Sequence, residues 1–467
     1  MNAFRMTRRG FVASSGAFAA SAAMPSWAGG VAVPSYYGRY LDAVAAKVAS
    51  RSNEAADAFF FITDLHITSN RKRSGDLIAL LSGMVPVSKT LCGGDLPCAY
   101  SKCFSTDKSS LDYALDWYRK AWIKPIESAN VDLYTARGNH DFTVRHDVDS
   151  DEGYTLSALT TRDFIMGTRA VVRNAVVNKA DPEAICYFFD NAAAGIRYIV
   201  ADTTDSMTSV RSYWTLVEGM RHQQLEWLAG VAFATVPSGW SVVVMQHIPV
   251  AGGAAGRRSA EVHAPFKELM ESYQNRRAWR SKTGRTFDFS SAKGRIVLDI
   301  SGHCHCERQT FQNGILHVTE PCDAAYKDYI HRSPLCGDLP LKKEGTIYEQ
   351  TFDVVQLDTV RNLVHFTRVG GGQDRVIHTE VSKVAVGDVC RFKAERLSGA
   401  VTWSVYDGDD IVERAGPDDG SVPHFDYKTT FAKIDEEGVV KGVAPGPVMV
   451  VARDKVLNKE IFPLVVS

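Results

Sequence analysis

Five short apolar runs, each stopping at an aspartate, an asparagine or a histidine, constrain this chain more than any other feature. AFFFITDLH (58–66) stops at Asp64, VSKTLCGGD (87–95) at Asp95, and VDLYTARGNHD (131–141) at Asn139 and His140. WSVVVMQH (240–247) stops at His247, and RIVLDISGHCH (295–305) at His303 and His305. Runs so continuously apolar suit strands covered on both faces. Helix-like stretches at 74–83, 109–122 and 221–233 lie between them, and 37–50 carries Leu41, Val44, Ala45 and Val48 at helical spacing. The alternation predicts an α/β core with buried sheets. AICYFFDNAAAGIRYIVADT (184–203) predicts a hairpin within a sheet, two strands around an Ala/Gly turn.

In open α/β sheets, ligands bind beyond the carboxyl ends of the strands. Here those ends offer Asp64 and His66, Asp95, Asn139 and His140, His247, and His303 and His305. Carboxylate, imidazole and amide oxygen together suit zinc, manganese or iron. There are enough donors for two ions, and a shared carboxylate is the natural bridge between cations held close together. In SGHCHC (301–306) the two histidines are then expected to face the site, with Cys304 pointing away. A disulfide at Cys304 or Cys306 is the alternative; a thiolate zinc site would need further ligands at zinc-finger-like spacing, and none stand nearby.

These residues resemble the calcineurin-like metallophosphoesterases, whose motifs D-x-H, G-D, G-N-H-D, a lone H and G-H-x-H occur here in order. They stand at Asp64-Leu65-His66, Gly94-Asp95, Gly138-Asn139-His140-Asp141, His247 and Gly302-His303-Cys304-His305, across residues 57–310. The resemblance implies a four-layer αββα sandwich around two divalent or trivalent ions (Mn, Zn or Fe). It implies that Asp64, His66 and His305 hold one ion, that Asn139, His247 and His303 hold the second, and that Asp95 bridges. His140 corresponds to the histidine that faces substrate and Asp141 to the residue that orients it. The implied reaction is hydrolysis of a phosphate mono- or diester by metal-bound hydroxide, with His140 protonating the leaving oxygen. The implied substrate class is a phosphorylated small molecule or a nucleotide.

The rest of the chain adds context. Residues 1–28, with Arg8-Arg9, an Ala/Ser/Gly stretch and Ser26-Trp27-Ala28, resemble a twin-arginine signal peptide cleaved after Ala28. No later run is long and apolar enough to span a bilayer, so a soluble periplasmic or secreted protein is expected. A net charge of −1 implies no general attraction to nucleic acid or membrane. After a helix or linker over 29–53, the phosphoesterase part is expected over 54–372. From about 380 helical periodicity ends, and 380–467 reads as short alternating strands of a small all-β sandwich. VSKVAVGDVCRFKA, VTWSVYD and GVVKGVAPG there resemble a bacterial immunoglobulin-like (Ig-like) domain of group 2, a module that implies a spacer or a cell-surface or glycan contact. Residues 256–295 hold ten Lys/Arg against four acids, so Arg276 and Arg277 are expected to form a cationic rim for substrate, unless the stretch is simply a solvated face. The competing functional class is a surface-binding or adhesion protein that retains an inactive phosphoesterase scaffold. Intact donors at all five strand ends argue against it, since clustered carboxylates and imidazoles are costly to keep buried without use.

Overall fold

The apolar runs become neighbouring parallel strands in two facing sheets. The computed structural model describes residues 33–66, 72–96, 119–139, 141, 162, 164–179, 181, 185–205, 219–251, 256–323, 343–407 and 429–467. In the first sheet, β1 (Asp57–Ile62), β2 (Lys89–Cys92) and β3 (Asp132–Thr135) run parallel, with Phe61 beside Leu91 and Leu91 beside Tyr134. The second sheet contains β4 (Val176–Val177), β5 (Tyr187–Asn191), β6 (Ile196–Val200) and β7 (Ser241–Met245). A separate hairpin, β8 (Ala278–Arg280) and β9 (Thr286–Asp288), precedes β10 (Arg295–Ser301), β11 (Arg308–Gln312) and β12 (Ile315–Thr319), which complete the second sheet in the order β11-β12-β10-β7-β6-β5-β4. Within it β6, β7, β10 and β12 are parallel, and β5 and β6 are the hairpin that the sequence predicts.

Alternation along these strands decides the layers. Phe59, Phe61, Leu91 and Tyr134 of the first sheet meet Tyr198, Val200, Val243, Met245, Leu298 and Ile300 of the second in one buried core. Each large apolar side chain buried there contributes about 1.5–3 kcal/mol. The helices are α1 (Gly38–Arg51), α2 (Lys72–Ser82), α3 (Lys124–Ser128), α4 (Arg169–Asn174), α5 (His222–Trp227) and α6 (Gly256–Gln274). Leu225 of α5 and Phe266, Leu269, Met270 and Tyr273 of α6 cover Ile199, Val242 and Val244 on the outer face of the second sheet. The first sheet is covered by α1, through buried Leu41, Val44, Ala45 and Val48, the apolar positions legible in the sequence. Helices thus lie outside both sheets, giving an α/β sandwich. Among the described residues no helix is long and apolar enough to cross a membrane.

The end of the chain extends the first sheet. There, β13 (Thr351–Asp358) pairs antiparallel with β1 and is followed by β14 (Leu363–Gly370) and β15 (Arg375–His378). Then come β16 (Ser382–Val384), β17 (Val389–Arg391), β18 (Thr402–Asp407), β19 (Ala432–Ile434), β20 (Val439–Gly442), β21 (Gly446–Arg453) and β22 (Lys459–Val466). A three-stranded sheet, β17-β20-β19, encloses a small core with β21 and β22 through Phe392, Val440, Val448, Val450, Phe462 and Leu464. The separation expected at 372–380 does not appear in the sheet. Arg375, Val376 and Ile377 pair with Lys459, Glu460 and Ile461, so β18-β21-β22, with β16 paired to β22, prolongs the first sheet to ten strands, and Pro34–Ser467 forms one compact unit.

Candidate metal centre

Each of the parallel strands β1, β2 and β3 delivers a donor just past its carboxyl end. Asp64 and His66 follow β1, Asp95 follows β2, and Asn139 follows β3; from the second sheet, His247 follows β7, and His303 and His305 follow β10. The seven converge. Asp64, His66 and His305 each offer a ligand atom within 4.8 Å of the others, and so do Asp95, His247 and His303. His66 Nε2 and His305 Nε2 are 3.0 Å apart, and His305 Nε2 is 3.1 Å from Asp64 Oδ1. Asn139 Oδ1 joins the second group, 2.9 Å from His247 Nε2 and 2.8 Å from His303 Nδ1. Asp95 reaches both groups: its Oδ2 lies 3.2 Å from His247 Nε2 and 3.7 Å from His66 Nε2.

Backbone geometry at these positions is unusual. Among the described residues ten non-glycine residues have positive φ, and five are Asp64 (54°), His66 (38°), Asp95 (55°), His303 (70°) and His305 (56°). Such conformations cost on the order of 1–3 kcal/mol each and persist where the surroundings over-determine them. The surroundings do so by close approach. A Cβ on Gly302 would collide with Thr63 Oγ1 and Asp64 Oδ2, and one on Gly138 with the Asp95 carboxylate, so both positions need glycine. Cross-links between the loops hold the rest. Asp64 N donates to Gly94 O (2.9 Å), His303 N to Asp64 Oδ2 (2.9 Å), and His247 Nδ1 contacts Gly93 O at 2.8 Å.

The electrostatics follow from packing carboxylates and imidazoles together out of water. Against the cost of burial, His305 and His247 hold Asp64 well below the usual carboxylate range. Burial likewise opposes the charged form of His247, yet Asp95 and Asp64 raise it to about 9. His303, buried beside His247, is pushed down to about 3. One imidazole thus carries a proton where two carboxylates need positive charge, a role that cations suit better. Imidazole nitrogens, carboxylate oxygens and one amide oxygen, in two compact groups sharing Asp95, fit a pair of first-row ions.

Asp141, the residue expected to orient His140, is bound to the loops that carry the donors. Its carboxylate accepts from Asp95 N (3.1 Å), Leu96 N (2.8 Å) and Gly138 N (2.6 Å), clamping the turns that carry Asp95 and Asn139. Burial and the Asp95 charge raise it to about 7. His140 lies outside the described residues.

Arg276 and Arg277 are a correction. The Arg276 guanidinium donates to Tyr273 O (2.8 Å) and Gly294 O (2.5 Å), just before β10, whereas His303 follows the far end of that strand. Seven strand residues span about 23 Å, and Arg277 is solvent-exposed. Local charge excess does not reveal which end of a strand a loop serves, and the solvated-face alternative describes Arg277, while Arg276 is half-buried against the backbone.

Four contributors escaped the sequence. Thr63 Oγ1 donates to Asp64 Oδ2 (2.6 Å), and Arg137 ties the β3 loop to the β6 loop through Asp202 Oδ2 (2.6 Å) and Thr204 Oγ1 (3.1 Å). Asp202 ends a sixth apolar run, GIRYIVAD, and that was the available signal.

No protein-family model matches the chain, and no curated protein matches it. Solved structures do. A dimetal phosphatase from Danio rerio is 16% identical over 69% of this chain and 98% of its own, with a TM-score of 0.44. Phosphopantetheinyl hydrolase from Mycobacterium tuberculosis is 13% identical over 58% and 91%, with a TM-score of 0.29. Vacuolar protein sorting 29 from Cryptosporidium parvum is 14% identical over 66% and 89%, with a TM-score of 0.22.

Proposed function

We propose that the chain is an exported dinuclear metallophosphoesterase of the calcineurin-like family that hydrolyses a phosphate mono- or diester of a small molecule or nucleotide. The observation that carries this reading is the position of Asp95, whose Oδ2 reaches a donor of each three-residue group. Asp64, His66 and His305 would hold one ion, Asn139, His247 and His303 the other, with Asp95 between. When bound, two such ions clamp phosphate oxygens and lower the pKa of a shared water toward neutrality. The chain's own residues do the remainder. Asn139 supplies a neutral oxygen, which limits the site's anionic charge to Asp64 and Asp95 and keeps it receptive to phosphate. Gly93 O fixes the His247 ring through Nδ1, so that Nε2 faces the centre. His140 donates a proton to the leaving oxygen.

The same reading includes export through the twin-arginine segment 1–28, which lies outside the described residues, and an Ig-like character for the C-terminal strands. The core shared by β17-β20-β19 with β21 and β22 supports the latter.

The test is turnover of aryl phosphate mono- and diesters by protein loaded with manganese, zinc or iron, beside Asp95→Asn. The expected outcome is a loss of about a hundredfold or more in the variant, since even second-sphere partners cost 10–100-fold. Wild type no faster than the variant, on either ester and with every metal, would favour the adhesion-scaffold reading.

A further inference from the structure

A second cluster of metal-ligating residues lies at the opposite end of the first sheet. Glu54, in the turn after α1, Asp358, at the end of β13, and His365, on β14, each offer one ligand atom within 4.8 Å of the others. Leu357, next to Asp358, pairs with Asp57 at the start of β1. Asp64, seven residues further along, is therefore about 23 Å away at strand rise, and the cluster is separate from the phosphoesterase centre.

Carboxylates gathered near an imidazole would mean little alone. The second observation is His365 itself. It is 2% exposed, and neither ring nitrogen has a hydrogen-bond partner among the described residues. Directly across the ladder, Gln356 donates from Nε2 to Val48 O (3.1 Å), while its buried Oε1 likewise has no partner among the described residues. Buried polar atoms left unpaired are costly, and an ion or ordered water is the usual explanation. These orphaned atoms are the donor types that hold metal, and they stand beside two carboxylates.

Three guanidinium groups weigh against a cation. Arg361 pairs with Asp358 Oδ2 (2.9 Å) and approaches Glu54 (3.6 Å), Arg396 approaches Glu54 (3.5 Å), and Arg51 donates to Thr367 Oγ1 (3.1 Å). The side chains of Arg361 and Arg396 are 46% and 32% exposed, so water screens them and they can swing outward. His365 cannot leave. Asp358, with no exposed side-chain surface, keeps lone pairs beyond the two that Arg361 uses, and the carboxyl end of α1 points here, where a cation is favoured.

We infer that Glu54, Asp358 and His365 form a third metal site, for a divalent ion of the zinc class, that fastens α1 to the β13–β14 hairpin. Two carboxylates balance a divalent charge, and one imidazole nitrogen with oxygen donors suits zinc. Gln356 Oε1 is positioned as a further oxygen donor. The inference does not depend on catalysis.

The experiment uses the full chain carrying His66→Ala, Asp95→Asn and His247→Ala, so that both ligand groups of the phosphoesterase centre are disabled. After chelation and dialysis, zinc is titrated calorimetrically and zinc content is measured by elemental analysis. One tightly held zinc per chain is expected, and adding His365→Phe removes it together with the rise in Tm that zinc produces. Glu54→Gln, at the exposed rim, serves as the second variant and is expected to weaken zinc binding at least tenfold even if His365→Phe fails to fold. Equal zinc content and equal affinity with and without these substitutions would overturn the site and leave His365 and Gln356 to each other. Phosphoesterase turnover is not read in any arm, so loss of this site and loss of the proposed activity are distinguishable.

Discussion

Asp64, His66, Asp95, His303 and His305 hold left-handed backbone conformations that non-glycine residues seldom adopt. At about 1–3 kcal/mol each, five such residues would absorb much of an ordinary domain's stability, so their neighbours must hold them. Asp141 is the clearest holder, because three N–H groups from two loops end on one carboxylate. Asn at this position has one acceptor oxygen and turns an NH2 toward backbone donors. Asp141→Asn is therefore expected to lower metal affinity 10–100-fold, measured by titrating metal into apoprotein. Unchanged affinity would limit Asp141 to the role the sequence suggested, beside His140.

At the scale of elements, a buried ion network joins the two sheets behind the metal centre. Glu307, two residues past His305, accepts from Lys459 of β22 (2.8 Å), Arg368 of β14 (2.7 Å) and Arg375 of β15 (2.8 Å). Asp353 of β13 takes Arg368 Nε (2.9 Å), and Glu320 takes Arg375. Three cations meet three carboxyl groups, all with side chains at most 6% exposed, and burial beside Asp353 raises the Glu320 carboxyl well above the usual range. Removing one partner strands a buried charge, which typically costs 3–5 kcal/mol. Lys459→Met is expected to destabilise the protein by about that amount in urea denaturation. A loss under about 1 kcal/mol would mean that the pair is as weak as one at the surface.

For the whole molecule, this network gives stability a pH dependence. Burial favours neutral Glu307, but Arg375, Lys459 and Arg368 hold its carboxyl well below the usual range. A carboxylate depressed in the folded state stabilises it above the unfolded pKa, about 4.3, and that contribution is lost as pH falls toward the folded value. Stability is thus expected to decline on acidification from about pH 4.5 downward. In Glu307→Gln it should be lower at pH 7 and fall less steeply with acid. Parallel acid limbs in urea titrations of the two proteins would locate the proton uptake elsewhere. The C-terminal strands share in this dependence through Lys459, which pairs with Glu307.

What the sequence by itself determined is local. Apolar runs set which stretches are strands, and the residue at which each run stops set which donors stand at the carboxyl ends; Asp64, Asp95, Asn139, His247 and His303 needed nothing else. Alternation reports which face a side chain occupies but not which strand lies alongside, because backbone N–H and C=O groups pair with any neighbour. The junction of Arg375 with Lys459, the removal of Arg276 to the far end of β10, the three donors on Asp141, and the meeting of Glu54, Asp358 and His365 are contacts between segments distant in the chain. Only the tertiary structure decided them, since each depends on a partner whose identity no local pattern records.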